Sequence, residues 1–198
     1  MISFLNGKFV HKTPTLVVVD INGIGYECNI SLNTYGKIAE KDEGLLYTWV
    51  NFSITPVSTV LSLYGFADKE EKELFVKLVG ISGISAAIAR VALSGMKPAE
   101  LSQAIIRGDI KTLQTIKGIG KKTAERIVVE LKEKLSKSAL ETNISALKDN
   151  TLHSDALNAL TALGIGRNAA ELAVQKVIQS ESSTPSLEEV IKKALKNL

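Results

Sequence analysis

The residues whose order alone describes a chemistry lie between Ile116 and Leu131, IKGIGKKTAERIVVEL. Ala124, Ile127, Val128 and Leu131 recur at the i, i+3, i+4, i+7 spacing of a helix with one buried face, which predicts a helix starting near Gly120. Its first turn carries Lys121 and Lys122. The positive end of a helix dipole favours carboxylates and disfavours cations, so the local charge has the wrong sign for stability. An anion on the free N–H groups of Gly118 to Lys122 removes that conflict, because helix N-termini bind phosphate and both lysines then add to the attraction. Gly118 and Gly120 are expected to permit a tight turn and a close approach by the ligand. The chemistry implied is electrostatic phosphate binding, with no bond made or broken. An ordinary turn between packed helices, with solvated lysines, would use the same residues. A nucleotide-binding loop is excluded: GKKT resembles the end of a Walker A motif, but Thr115 stands where that pattern requires glycine and no strand leads into it.

The elements that must position this turn are helical. Asp109 can cap a short helix carrying Ile110 and Leu113, so the unit reads helix, Gly-Ile-Gly turn, helix, with Ile119 tucked between the two. That is the layout of a helix-hairpin-helix motif, which holds a nucleic acid strand by its phosphates without reading bases. ISGISAAIARVAL, beginning at Ile81, matches IKGIGKKTAERIV at an offset of 35 residues, with Gly83 answering Gly118, Ile84 answering Ile119 and Ala89 answering Ala124. In this copy Ser85 replaces the second glycine and Ala86 and Ala87 replace the lysines. Its turn offers N–H groups and the hydroxyls of Ser82 and Ser85, but no charge. Paired hairpins suit a duplex, since two turns can hold phosphates of both strands across one groove, and recognition by shape is expected.

The chain of 198 residues has 45% apolar and 23% charged residues, ordinary values for a globular protein, and no apolar run approaching the roughly 20 residues of a membrane span. The N-terminus MISFLNGKFV lacks the layout of a signal peptide, which predicts a cytoplasmic protein. Cys28 is the only cysteine and is expected to be a small core residue; with only His11 and His153 besides, no metal site is expected. The net charge of +3 is unevenly spread: four bases face five acids in residues 1–64, fourteen face nine in 65–137, and six face seven in 138–198. The basic excess surrounds the hairpins, as a phosphate-binding surface requires.

Residues 1–66 read as about five short strands with one helical turn. TLVVVD and the alternating Gly25 to Ile30 flank Asn22-Gly23, a strong hairpin signal, and LLYTWVNF and VLSLYGF complete the set. A small closed barrel of the oligonucleotide-binding kind fits, with a sandwich as the alternative. Trp49, Phe52 and the tyrosines could stack on bases or form core. Residues 67–136 read as the helical hairpin region, in which Pro98 opens the helix bearing Leu101, Ala104 and Ile105. Residues 137–152, rich in Ser, Thr, Asn and Lys, read as a flexible linker. Residues 153–198 read as three helices: one capped by Ser154 and stopping at Gly164, one carrying Ala170, Val174, Val177 and Ile178, and one with a Ser186/Glu189 capping box. A tethered module of that size suits docking better than catalysis.

Barrel, LYGF junction at Leu63 to Phe66, two hairpin copies, linker and helical tail together resemble the RuvA family, the subunits that bind Holliday junctions in the bacterial branch-migration machine. GIGKKTAERIVVELK is the most specific part, with MISFLNGK, NGIGYE and LSGM in support. The resemblance implies an α+β multidomain chain: an N-terminal five-stranded OB-fold barrel, a central all-α double helix-hairpin-helix domain and a C-terminal three-helix, UBA-like domain. It implies phosphate contacts from Gly118, Gly120, Lys121, Lys122, Thr123 and Arg126 on one side and from Ser82, Gly83 and Ser85 on the other. It further implies a homotetramer or octamer around a four-way junction, docking of a RuvB-like hexameric ATPase through Leu160, Leu163 and Leu195, and a RuvC-like resolvase as an additional partner. ATP and Mg would be used by the ATPase, with no cofactor bound by this chain and no catalytic residue in it. The family's turn before LYGF carries an acidic pair, whereas this chain has no Asp or Glu between Glu43 and Asp68, and its segment reads NFSITPVST.

Two other classes use the same residues. A helix-hairpin-helix enzyme, either a glycosylase or a nuclease subunit, would need a carboxylate after the hairpin, and Glu125, Glu130 and Glu133 are the acids in reach. All three are more simply i, i+4 partners of Lys121, Arg126 and Lys137. A protein-binding adaptor would leave the basic middle third as a solvated face.

Overall fold

A computed structural model of the chain describes residues 1–54, 59–144, 148–180 and 185–197. The chain divides into two compact units, Met1–Ser136 and Lys137–Leu198. The first begins with β1 (Phe4–Thr13), β2 (Leu16–Ile21), β3 (Ile24–Asn29), α1 (Leu32–Ile38), β4 (Glu43–Ile54) and β5 (Thr59–Phe66). These strands form a closed barrel in the order β1-β2-β3-β5-β4, antiparallel except where β3 meets β5, and closed by β1 against β4. Asn22 and Gly23 turn β2 into β3 with φ of 52° and 88°, the positive values that a two-residue hairpin requires. Leu5, Phe9, Val17, Val19, Cys28, Ile30, Ile38 and Leu46 fill the interior, and burial pushes the Cys28 thiol up to about 12, so it is an inert core residue. The turn expected to differ from the family, at Ser53 to Ser58, lies largely outside the described residues.

The helical part follows: α2 (Lys69–Val79), α3 (Ala86–Gly95), α4 (Pro98–Arg107), α5 (Ile110–Gln114) and α6 (Lys121–Ile144). Their apolar faces share one core with the end of the barrel. Trp49 and Tyr64 belong to that core. Their rings lie 5.3 and 5.1 Å from the ring of Phe75 on α2, which is fully buried, so they join barrel to helices rather than offering a stacking platform. Phe52, by contrast, is 68% exposed. Pro98 opens α4 as expected.

A buried carboxylate joins the two parts. Glu71 is fully enclosed although its neighbourhood in sequence, KEEKE, reads as solvated. It sits on the buried face of α2 with Leu74, Phe75 and Leu78. Ser31, the N-cap of α1, donates its hydroxyl to one carboxylate oxygen, and Thr34 Oγ1 donates to the other at 2.7 Å. Each hydroxyl accepts a backbone N–H in turn, Ser31 from Thr34 and Thr34 from Ala67, both at 3.0 Å. Nearby, Lys37 of α1 pairs with Asp68, and Asn33 donates to the carbonyl of Met96 at 2.8 Å. α1 is therefore the clasp between barrel and helices.

The second unit holds α7 (Lys148–Ala162), α8 (Arg167–Ser180) and α9 (Leu187–Lys196), with the Ser186/Glu189 capping box formed as expected. Gly164 follows α7 with φ of 88°, ending it in the left-handed conformation. Two expectations are corrected here. Most of 137–152 is helical: α6 runs on to Ile144 and α7 begins at Lys148, with 145–147 outside the described residues. The segment contains no Gly or Pro and several Ala, Leu, Lys and Glu, which favour helix more than its Ser and Thr oppose it. Ser154 consequently lies inside α7 instead of capping it. Among the described residues no helix is long and apolar enough to cross a membrane.

Burial raises the Glu71 carboxyl above its ordinary 4.5, opposed by the hydroxyls of Ser31 and Thr34. A raised folded-state value means that the stability linked to this group is fully present below 4.5 and is lost as pH rises through the raised value. Glu71→Gln removes the titration. Urea midpoints measured between about pH 4 and pH 8 are expected to show the parent chain losing stability relative to Glu71→Gln as pH rises. A constant difference would place Glu71 at its ordinary value.

Candidate nucleic-acid interface

The two hairpins, α2–α3 and α5–α6, have the same turn. Gly83 and Gly118 adopt φ of 92° and 94°, a left-handed conformation that favours glycine. One residue on, Ile84 and Ile119 are 5% and 4% exposed, each plugging the space between its helices. Their N–H groups bond to Ile81 and Ile116 carbonyls, both at 3.0 Å. The first bond of each following helix also matches: Ala89 N–H to Ser85 O and Ala124 N–H to Gly120 O, both 2.9 Å. Ile81, Ile84, Ala89, Ile116, Ile119 and Ala124 all belong to one core, so the turns cannot move independently.

The helix start is where the copies diverge. Ser85 caps α3, its Oγ accepting the Ile88 N–H at 3.2 Å, which fills one open donor and leaves the hydroxyl proton to donate outward. Gly120 has no side chain to do this. The first N–H groups of α6 therefore stay open to an outside acceptor, with Lys121 and Lys122 exposed beside them and without an ion-pair partner among the described residues. The expected Lys121–Glu125 and Arg126–Glu130 pairs do not form. Arg126 instead donates from Nη1 to the carbonyl of Ser82, at 2.8 Å, because that acceptor on the neighbouring turn lies within its reach. On the other side of the motif Asp109 caps α5, and hydrogen bonds from Thr112 hold its carboxyl below the usual range.

The glycines have different reasons. Gly118 is required by its φ and by Ile88, whose Cγ1 would lie 3.3 Å from an added Cβ. Gly120 has no positive φ and nothing within 4 Å of an added Cβ. Ser85 occupies the equivalent place in the first hairpin without strain, with φ of −79°. The fold does not need glycine at 120, so the expectation that it permits the tight turn is corrected. Open space beside exposed N–H groups suits close approach by a ligand.

All nine expected DNA-facing residues lie at these turns or on the first two turns of α6. Lys117 was missed. It is exposed, has no ion-pair or hydrogen-bond partner among the described residues, and precedes Gly118 as Ser82 precedes Gly83, so the repeat itself could have nominated it. In the second unit, Leu163 and Leu195 are 63% and 43% exposed, but Leu160 is fully buried among Leu157, Val174 and Val190. Leu160 is a core residue and has no surface to dock with. Leu172, on α8 off its buried face, is 69% exposed and is a further apolar surface residue that the sequence did not single out.

Three family models match the chain: the RuvA N-terminal domain over residues 1–65, the SAM-like helix-hairpin-helix tandem over 75–133, and the RuvA C-terminal domain over 151–198. Among curated relatives, the protein of Flavobacterium psychrophilum is 45% identical over the whole of both chains. Those of Cytophaga hutchinsonii and Bacteroides fragilis are 42% identical over 99% of both chains and 38% identical over all of both. The chain belongs to the RuvA family. Each of these relatives is named a Holliday junction branch migration complex subunit. The SAM-like helix-hairpin-helix tandem model spans both hairpin turns described above, including the first, in which lysines are absent.

Gly118→Ala forces an L side chain into the left-handed region against Ile88 and is expected to destabilise the first unit by about 1–2 kcal/mol. Gly120→Ala should change stability by less than about 0.5 kcal/mol while weakening DNA binding if this open space receives a phosphate, as the sequence leads one to expect. Thermal melts and duplex binding of both variants check this; the reverse ranking would show that Gly120 serves the fold.

Proposed function

We propose that this chain binds four-way (Holliday) DNA junctions by shape and phosphate contacts and recruits a RuvB-like hexameric ATPase for branch migration in recombination and repair. The observation that carries this reading is the pair of turns of matching geometry fixed on one core, one with open N–H groups and free lysines. Two such turns address two phosphate backbones at once, and neither offers side chains arranged to read base edges. Gly118, Gly120, Lys121, Lys122 and Thr123 take one backbone, with Lys117 beside them; Ser82, Gly83 and Ser85 take the other.

Self-association is supported by the barrel. Phe52 and Leu61 face each other across β4 and β5 with 68% and 64% of their surface exposed, and Phe4 on β1 is 56% exposed. Apolar pairs of this size left in water mark an interface, and a homotetramer or octamer would cover them. The exposed leucines Leu163 and Leu195 of the second unit offer the ATPase an apolar contact. ATP and Mg chemistry belongs to that partner. The chain acts as a non-catalytic scaffold in the cytoplasm, with a RuvC-like resolvase as a further partner of the assembly.

A gel-shift competition between a synthetic four-way junction and linear duplex of the same arm sequence, at two salt concentrations, tests the reading. Preference for the junction at the higher salt is expected. Equal affinity for the two, or any base release or strand cleavage by the protein alone, would overturn it.

Within the same assay, Lys121→Ala and Lys122→Ala should each weaken binding to all sequences alike and lower the salt slope by about one ion. Lys117→Ala should do the same. A sequence-dependent loss would contradict phosphate contact.

A further inference from the structure

The two hairpins brace each other unequally. Arg126 lies on α6, one helical turn beyond the second hairpin's turn, yet its Nη1 donates to Ser82 O in the first hairpin, 2.8 Å away. Ser82 directly precedes Gly83, whose φ of 92° shapes that turn. At the repeat-equivalent position on α3 stands Val91, which has no donor, so the polar support runs one way only. The second turn is backed differently: Ile88 of α3 packs against Gly118, with an added Cβ only 3.3 Å from its Cγ1.

The first turn is also the one without cations of its own, since Ser85, Ala86 and Ala87 stand where the second hairpin has Gly120, Lys121 and Lys122. A guanidinium has five N–H donors and cannot lose its charge near neutral pH. Ser82 O takes one donor. Among the described residues Arg126 has no carboxylate partner, Glu130 included, so its charge and remaining donors are available beside the Ser82–Ser85 turn.

We propose that Arg126 belongs functionally to the first hairpin: it positions the Ser82–Gly83 turn and supplies the positive charge that this hairpin's own helix lacks. A phosphate at the first turn is then held by the N–H groups and hydroxyls of one hairpin and by the charge of the other. The charge half of this rests on the DNA-binding reading above; the brace is a property of the free protein.

The test uses the full chain. In Arg126→Ala, amide exchange at Ile84, bonded to Ile81 O, should accelerate about tenfold, the scale of one charge-assisted hydrogen bond, while the matching amide of Ile119 is unchanged. On a synthetic four-way junction, Ser85→Ala should cost several-fold in affinity in the parent background and almost nothing in the Arg126→Ala background, whereas Lys122→Ala should cost the same in both. Arg126→Gln, which keeps a donor and loses the charge, should retain Ile84 protection and lower the salt slope by about one ion. Unchanged Ile84 exchange in Arg126→Ala would overturn the brace. Coupling of Arg126 to Lys122 rather than to Ser85 would return Arg126 to the second hairpin. A chain that binds no junction overturns the functional reading and with it the charge half, while the exchange comparison still decides the brace.

Discussion

Everything the first unit offers to DNA depends on two left-handed glycines held on one core. Gly83 and Gly118 each reverse the chain so that an isoleucine drops between two helices, its own N–H bonded back to the preceding helix end. A phosphate contact of this kind is short and directional, and it survives only if the donors are already in place when the backbone arrives. Because Ile84 and Ile119 are packed into the same cluster, the spacing between the turns is set by core packing, which resists small displacements. Two flexible basic loops of equal charge would bind a polyanion too, but would not fix the distance between two strands. On the proposed function, shape selectivity resides in the apolar interior, and the lysines add affinity to a geometry that they do not create.

The same constraint explains the joint between barrel and helices. If the barrel carries the contacts between subunits, the hairpins must be held rigidly to it for any symmetric arrangement of barrels to place DNA arms in register. Apolar contact through Trp49, Tyr64 and Phe75 supplies the area, while Glu71, accepting from Ser31 and Thr34, supplies direction. A buried carboxylate is costly unless its lone pairs are satisfied, and here each hydroxyl is oriented by a backbone N–H, so a small rotation of α1 against α2 would break several bonds together.

Much of this was legible in the order of residues. The hairpin repeat, the Asn22-Gly23 turn, the capping residue Asp109 and the Ser186/Glu189 box are local signals, decided by a few neighbouring residues, and the structure forms each of them. What escaped was tertiary. Arg126 was read along its own helix, where Glu130 is the natural partner, but its acceptor lies 44 residues away on another turn. Glu71 was not singled out at all, since an acid in the charged run KEEKE carries no local signal of burial, although it completes the buried spacing of Leu74, Phe75 and Leu78. Leu160 was assigned to a surface by position within a resemblance, and periodicity alone could not tell the core side of a short three-helix unit from its exposed side. The stretch after Ser136 was read from its polar residues, while the lack of Gly and Pro counted for more.

The weakened first hairpin is the feature that most separates this chain from a symmetric pair. Loss of the second glycine and of both lysines removes charge but leaves the turn's geometry intact: φ at Gly83, burial at Ile84 and the first helical bond all match the second copy within narrow limits. Geometry has been kept where charge has not. That outcome is intelligible if the first turn acts mainly as a register stop for one backbone while the second turn supplies the electrostatic hold. A register stop needs fixed donors and a firm backing, and Ser85 provides a donor that the helix itself orients. Under such a division of labour, rising salt would weaken the second turn, with its two lysines, more than the first, where Arg126 supplies a single charge, because screening acts on net charge more than on short hydrogen bonds.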